Sequence, residues 1–173
     1  MQQPLGSLES IILETAAGLR VEVLPYGATI KSITVNNQIV TLTYPKSEDF
    51  LSNPYYFGST IGRYANRLAN GQFSLNGQLF KIEKGENPHA LHGGAVGFSH
   101  RLWQCISVEP HQCVLYYFSP EGESGFPGAL HVYLTISVSV LTVDLEYRAT
   151  TSADTVISLT NHCYFNLNGL INS

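Results

Sequence analysis

The chain has 173 residues, of which 44% are hydrophobic, 11% aromatic and only 13% charged, and 9 Lys and Arg against 13 Asp and Glu give a formal charge of −4. So apolar a chain does not remain disordered, and without a basic cluster it has nothing to neutralise a row of phosphates, which argues against nucleic acid as a partner. No apolar run approaches the roughly 20 residues that cross a bilayer, the first ten residues carry neither a basic segment nor an apolar signal core, and three cysteines are too few and too odd for a disulfide scaffold. A single soluble, cytoplasmic domain over residues 1–173 is the expectation, with no membrane partner.

Taken in chain order, the dominant period is two, the mark of strands. Leu19, Val21 and Val23 alternate with Arg20 and Glu22, and Ala28 to Val35 and Gln38 to Tyr44 continue the pattern between turn residues. Gln72 to Ile82 reads as a hairpin around Asn76-Gly77, a dipeptide that two-residue turns select because both positions need φ > 0. Arg101 to Val108 and Gln112 to Phe118 form another pair across Glu109-Pro110-His111. Leu130, Val132, Leu134, Ile136, Val138 and Val140 keep one phase, while Leu141, Val143, Leu145 and Tyr147 take the other, so the flip near Val140 predicts a turn or bulge. Thr155 to Thr160 is expected as a last strand. No amphipathic helix of ten residues is visible, which predicts an all-β fold. Two loop regions, Lys46 to Asn70 and Gly85 to His100, are dense in Gly, Pro, Asn, Arg and His, and long loops on a strand framework are where function concentrates.

Chemistry is concentrated in those loops and after the last strand. His92 lies in Ala90-Leu-His-Gly-Gly94, where paired glycines would let a ligand approach the backbone, and His162 lies in Thr160-Asn-His-Cys-Tyr-Phe-Asn-Leu167. Imidazole titrates near neutrality and exchanges protons in both directions, against the plainer reading of a His that caps or fills a polar pocket. In Gly58 to Gly71, Arg67 offers a fork of donors to vicinal hydroxyls and Asn66 both donates and accepts, the alternative being a solvated loop. The glycine spacing does not match a phosphate loop. His89 with His92, or His162 with Cys163, does not make a metal set of recognisable spacing, and no metal is expected. Adjacent residues on a strand face opposite ways, so if His162 faces a site, Cys163 faces the core and the two do not form a nucleophilic pair. The surface is rich in neutral polar side chains (16 Ser, 12 Thr, 11 Asn, 7 Gln), which suits hydrogen bonding to a neutral polyol such as a sugar.

Four motifs in order carry a family resemblance: Gly62-Arg-Tyr-Ala-Asn-Arg-Leu-Ala-Asn-Gly71; Leu91-His-Gly-Gly94 with Gly97-Phe98 and Trp103; Pro120-Glu-Gly-Glu-Ser-Gly-Phe-Pro-Gly128; and Leu159-Thr-Asn-His-Cys-Tyr-Phe-Asn-Leu-Asn-Gly169. Together with Tyr26-Gly-Ala-Thr-Ile30 they resemble the aldose 1-epimerase (galactose mutarotase) family over nearly the whole chain. The resemblance implies an antiparallel β-sandwich of the galactose mutarotase type, no cofactor, and interconversion of the α and β anomers of free hexoses such as galactose and glucose. It implies that His162 protonates the ring oxygen, that His92 binds near that oxygen and the anomeric hydroxyl, and that Asn66 and Arg67 bind substrate. The family places its general-base glutamate and a sugar-binding aspartate later than Ser173, and none of Glu121, Glu123, Glu146 or Asp154 lies in the motif that carries them. The chain therefore reads as an N-terminal half, an incomplete sandwich with strand edges open to self-association. The alternatives are a non-catalytic carbohydrate-binding module or an inactive fragment, and more weakly an epimerase of a phosphorylated hexose using Arg63, Arg67 and Arg101.

Overall fold

Alternating apolar and polar residues produce strands that are half-buried, and two such sheets close on one another when their apolar faces meet. The computed structural model describes residues 8–85 and 88–168. The ends of the expected domain, Gly169 of the last motif, and Glu86 and Asn87 of the second long loop lie outside these residues. The first four-stranded antiparallel sheet comprises β1 (Ile11–Glu14), β2 (Leu19–Leu24), β3 (Thr29–Val35) and β4 (Gln38–Ile39), paired in that order. Short strands follow in the loop regions and their hairpin: β5 (Thr60–Ile61), β6 (Arg67–Leu68), β7 (Gln72–Leu75), β8 (Gln78–Lys81) and β9 (Ala90–Leu91). The second four-stranded sheet is β10 (Gln104–Glu109), β11 (Gln112–Ser119), β12 (Leu130–Ser139) and β13 (Thr142–Thr151), again in sequential order, and β14 (Thr160–Asn161) pairs with β5. All these ladders are antiparallel, and the helical elements among the described residues are short 3₁₀ turns.

The main core lies between the two sheets. Leu13, Val21, Val23 and Ile30 from one meet Leu115, Val132, Leu134 and Ile136 from the other, with Phe98 and Trp103 packed into the same cluster. Phe98 and Trp103 meet edge to face at a centroid distance of 5.8 Å, a favoured aromatic geometry. The phase read from Leu130 to Val138 is the buried one, and Val143, Leu145 and Tyr147 of β13 turn toward the same cluster. The phase flip is a two-residue turn: Ser139 pairs with Thr142, and Val140-Leu141 connect them. Asn76-Gly77 likewise joins β7 to β8 with φ of 51° and 77°.

Three expectations are corrected. The strand expected over Gln38 to Tyr44 ends at Ile39, after which only Thr41 makes a bridge, to Phe165. The strand expected over Thr155 to Thr160 is confined to Thr160–Asn161; the stretch before it has one bridge, Ser158 with Tyr64, because its backbone follows Arg63 to Ala65 instead of a sheet. Strand β1 has no counterpart in the sequence reading, since Ile11-Ile12-Leu13 is a continuous apolar run without alternation, yet Ile11 and Leu13 are buried and Ile12 is exposed.

Candidate active site

The two long loop regions are joined by the ladder β6–β9, in which Arg67 faces Leu91 and Leu68 faces Ala90. One step beyond, Asn66 and His92 exchange two hydrogen bonds: the His92 N–H donates to the Asn66 carbonyl at 3.0 Å, and the Asn66 N–H donates to His92 Nδ1, also at 3.0 Å. Both residues sit in the left-handed region, with φ of 66° and 53°. A ring nitrogen that accepts from a backbone N–H carries no proton, so neutral His92 is the tautomer protonated at Nε2, with that N–H left to donate. Burial, then His162, then the Arg67 guanidinium pull the His92 pKa down to about 4, and the ring is uncharged at neutral pH.

His162 arrives from the opposite side. The β5–β14 ladder continues past Asn161, with the His162 N–H donating to the Ser59 carbonyl at 2.9 Å and the Gly58 N–H donating to the His162 carbonyl at 3.1 Å. The Asn161 amide donates to the Gly58 carbonyl at 2.7 Å and its Oδ1 accepts from the Cys163 N–H at 2.9 Å, which fixes the turn after β14. The imidazoles of His92 and His162 stand with ring centroids 5.1 Å apart at 83°. Tyr164 packs beside His162 at 4.9 Å. Exposed Asn66 and Arg67 lie next to His92, with an Arg67 Nη1 to Asn66 Oδ1 contact of 3.4 Å. Cys163 packs against the main core, and burial pushes its thiol up to about 12, so it supplies no thiolate nucleophile.

Two readings from the sequence change. Gly93 and Gly94 do not clear space for a ligand: a Cβ on Gly93 would stand 1.8 Å from the Gly62 carbonyl oxygen, and one on Gly94 2.8 Å from that of Glu83. The pair admits the chain's own backbone: Gly93 seats the loop that carries Asn66 against the one that carries His92, and Gly94 seats the latter against the stretch after β8. Arg63 is no phosphate ligand. It is 2% exposed, and its donors are spent on Ser119 Oγ and on the carbonyls of Ser119, Pro120, Pro127 and Gly128, at 2.7–3.0 Å. Arg101 pairs with Glu123 at 3.1 Å, so of the three arginines only Arg67 stays open to solvent beside the histidines. Glu123 also accepts from the hydroxyls of Tyr117 and Ser119, while Glu146 pairs with Arg148 and Asp154 accepts from Asn76. Each of these carboxylates is engaged away from the imidazoles.

Sequence reasoning missed Tyr56. Its ring centroid lies 4.8 Å from that of His92 and 5.9 Å from that of His162, and its φ of 59° is rare for an aromatic residue, a strain of about 1–3 kcal/mol that clusters at functional sites. Nothing in Asn53-Pro-Tyr-Tyr-Phe-Gly58 marks that residue as the one at the histidines.

The two-sheet antiparallel sandwich is a fold shared with solved structures of sugar epimerases. A GalM/aldose epimerase homologue from C. elegans superposes with a TM-score of 0.87 at 29% identity, over 94% of this chain and 52% of that one. A galactose 1-epimerase from Lactobacillus acidophilus gives 0.84 at 27% identity, over 91% and 48%. The family model for aldose 1-epimerase matches residues 9–173, and the chain belongs to that family. Among curated relatives, a galactose mutarotase from Sus scrofa is 36% identical over 95% of this chain and 49% of its own length, and an aldose 1-epimerase from Haemophilus influenzae is 37% identical over 91% and 47%. The chain spans about half the length of the curated relatives it matches.

Proposed function

We propose that this chain carries the acid and binding side of an aldose 1-epimerase site acting on free hexoses such as galactose and glucose. The observation that carries the reading is the pair of imidazoles 5.1 Å apart, one of them held neutral with its Nε2–H free to donate. Mutarotation needs one proton delivered to the ring oxygen and one removed from the C1 hydroxyl. The C1–O bond of the ring then breaks as the C1 carbonyl forms, C1 rotates about C1–C2, and closure on the other face returns both protons. His162 delivers the proton to the ring oxygen, His92 donates a hydrogen bond to that oxygen or to the anomeric hydroxyl, and Asn66 and Arg67 hold neighbouring hydroxyls. No described carboxylate stands against the imidazoles, so the base role is unfilled among the described residues. No cofactor enters this scheme. Three free cysteines fit a reducing, cytoplasmic setting, and no helix among the described residues is long and apolar enough to cross a membrane.

Titration of the chain with galactose, followed by calorimetry and by histidine resonances, tests the binding half. Heat and shifts at His92 and His162 that disappear in Arg67→Ala are expected; no binding at millimolar sugar would overturn it. Polarimetry of α-D-galactose tests the rest. The chain alone adds no rate over buffer, and turnover that depended on His162 would show that its own residues supply a base. Binding without turnover is also what a non-catalytic carbohydrate module would show, and adding a family-type carboxylate in trans without any gain in rate would favour that second reading.

A further inference from the structure

Of the aromatic residues near the histidines, Tyr56 touches both, and nothing in the chemistry above gives it a task. Its ring stands edge-on to His92 at 75° and tilted by 34° to His162, and it also meets His100 at 6.1 Å. The backbone that places it is over-determined. The Tyr56 N–H donates to the Asn53 carbonyl, and the Ser59 N–H donates back to the Tyr56 carbonyl. Asn53, 1% exposed, grips the loop with its amide: Nδ2 donates to the Phe57 carbonyl and to Ser59 Oγ, and Oδ1 accepts from the Phe57 N–H. Gly58 passes so close to β3 that a Cβ there would lie 1.8 Å from the Ile30 carbonyl oxygen. The same loop is bonded to His162 through Gly58 and Ser59, so one loop places both Tyr56 and His162. A ring held in a disfavoured backbone conformation by this many bonds is held for what the ring does.

We propose that Tyr56 is a positioning residue that divides the work between the two histidines: its ring wedges against both imidazoles, keeps water from His92 and holds that ring with Nδ1 on the Asn66 N–H and Nε2–H toward the site, so that His162 is the one that exchanges the proton. The proposal rests on the functional reading above for its purpose, but its geometry and its test do not need a sugar. Titratable and charged groups face His92 from every side: His162 beyond β14 and Arg67 on β6, with the ring of Tyr56 against it and His100 and Tyr164 one ring further out. His162 and Arg67 both oppose a charge on His92, and burial is the largest cause of its depressed pKa. Removing the ring admits water to His92 and frees the imidazole to turn away from the Asn66 N–H, so that Nδ1 can take a proton.

Histidine-labelled chain, titrated by NMR without sugar and assigned through single histidine substitutions, tests this. Tyr56→Gly removes the ring at a φ that glycine adopts freely, so it avoids the strain other truncations would carry. The His92 midpoint is expected to rise by about one pH unit or more in Tyr56→Gly, a tenfold gain in proton affinity, with its nitrogen shifts moving from a single Nε2–H tautomer to a mixture. Tyr56→Phe, which keeps the ring, leaves midpoint and tautomer where they are. An unmoved His92 in Tyr56→Gly would overturn the proposal, and so would Tyr56→Phe behaving like the glycine variant. If Tyr56→Gly fails to fold, Tyr56→Leu provides the ringless variant, with the same outcomes. Failure to bind galactose would defeat the functional reading and leave these outcomes unchanged.

Discussion

His92 makes a commitment at Nδ1 that a proton there would break, and that fixes a pH dependence for the fold. Its folded pKa of about 4 lies below the 6.5 of an unperturbed imidazole. Between those values the unfolded chain binds a proton that the folded chain refuses, so the stability this residue contributes is complete above pH 6.5 and is lost as the pH falls toward 4, with nothing further lost below. The side chain is half-exposed, so the loss stays well under the ceiling of about 1.4 kcal/mol for each pH unit that separates the two values. Urea midpoints at pH 7, 5.5 and 4 should therefore converge in His92→Gln relative to the parent; parallel declines would contradict the assignment. Of the residues that build this corner, His92, His162, Asn66 and Arg67 were legible, because their residue types and motif order carry chemistry on their face. Tyr56 and Arg63 were not. A tyrosine's value here lies in a ring contact across 36 residues of chain to His92, and Arg63 differs from a solvated arginine only through carbonyls that come from positions 119–128.

Local chemistry decided the hairpins, and there the sequence was a good guide: Asn76-Gly77 and the phase flip at Val140 both become two-residue turns. Apart from β1, the elements that stayed hidden, β5, β6 and β9, are two residues long and exist only because distant loops meet, so no window of sequence contains their cause. Val140 is the exception to good turn chemistry. It has φ of 50° and 70% exposure, while Leu141 stays at negative φ, a pattern in which the first turn position favours glycine. Val140→Gly should raise stability by about 1 kcal/mol, whereas Gly77→Ala, with open space around the new methyl but φ of 77°, should lower it by about as much. Thermal melts of the two variants moving in the same direction would refute that reading. Arg63 acts between elements. Its guanidinium fastens the loop before β6 to the β11–β12 connection, and Arg63→Met would remove five hydrogen bonds, three of them buried, at a cost of about 3–5 kcal/mol. Arg63→Lys restores little of this, because a single ammonium cannot reproduce the fork. Denaturant titration of both variants, with parental stability in either, would sink the argument.

At the scale of the molecule, the sandwich is closed at its centre and open along one side. Ile30 and Ile33 of β3, Val143, Leu145 and Tyr147 of β13, and Leu159, Cys163 and Phe165 line an apolar groove of about 330 Å³. Close-packed interiors leave no such space, and an exposed apolar surface of this kind marks a place where other polypeptide packs. Strand β13 borders it as the outer strand of its sheet among the described residues, ten residues long, with one row of backbone donors and acceptors facing no described strand alongside half-buried apolar side chains. The same segment that presents His162 to the candidate site presents Cys163 to this groove, so the groove lies behind the site. The prediction for the chain by itself is pairing of this edge with a second copy. The chain should bind a hydrophobic dye and sediment above monomer mass at tens of micromolar. Leu145→Lys sets a charge pointing inward on the open edge, the device by which natural edge strands resist pairing, and should weaken both signals while the His92 resonance stays in place. A parent chain that stayed monomeric and dye-free across that concentration range would show that the groove is closed in solution, and the edge would then need another explanation for its apolar face.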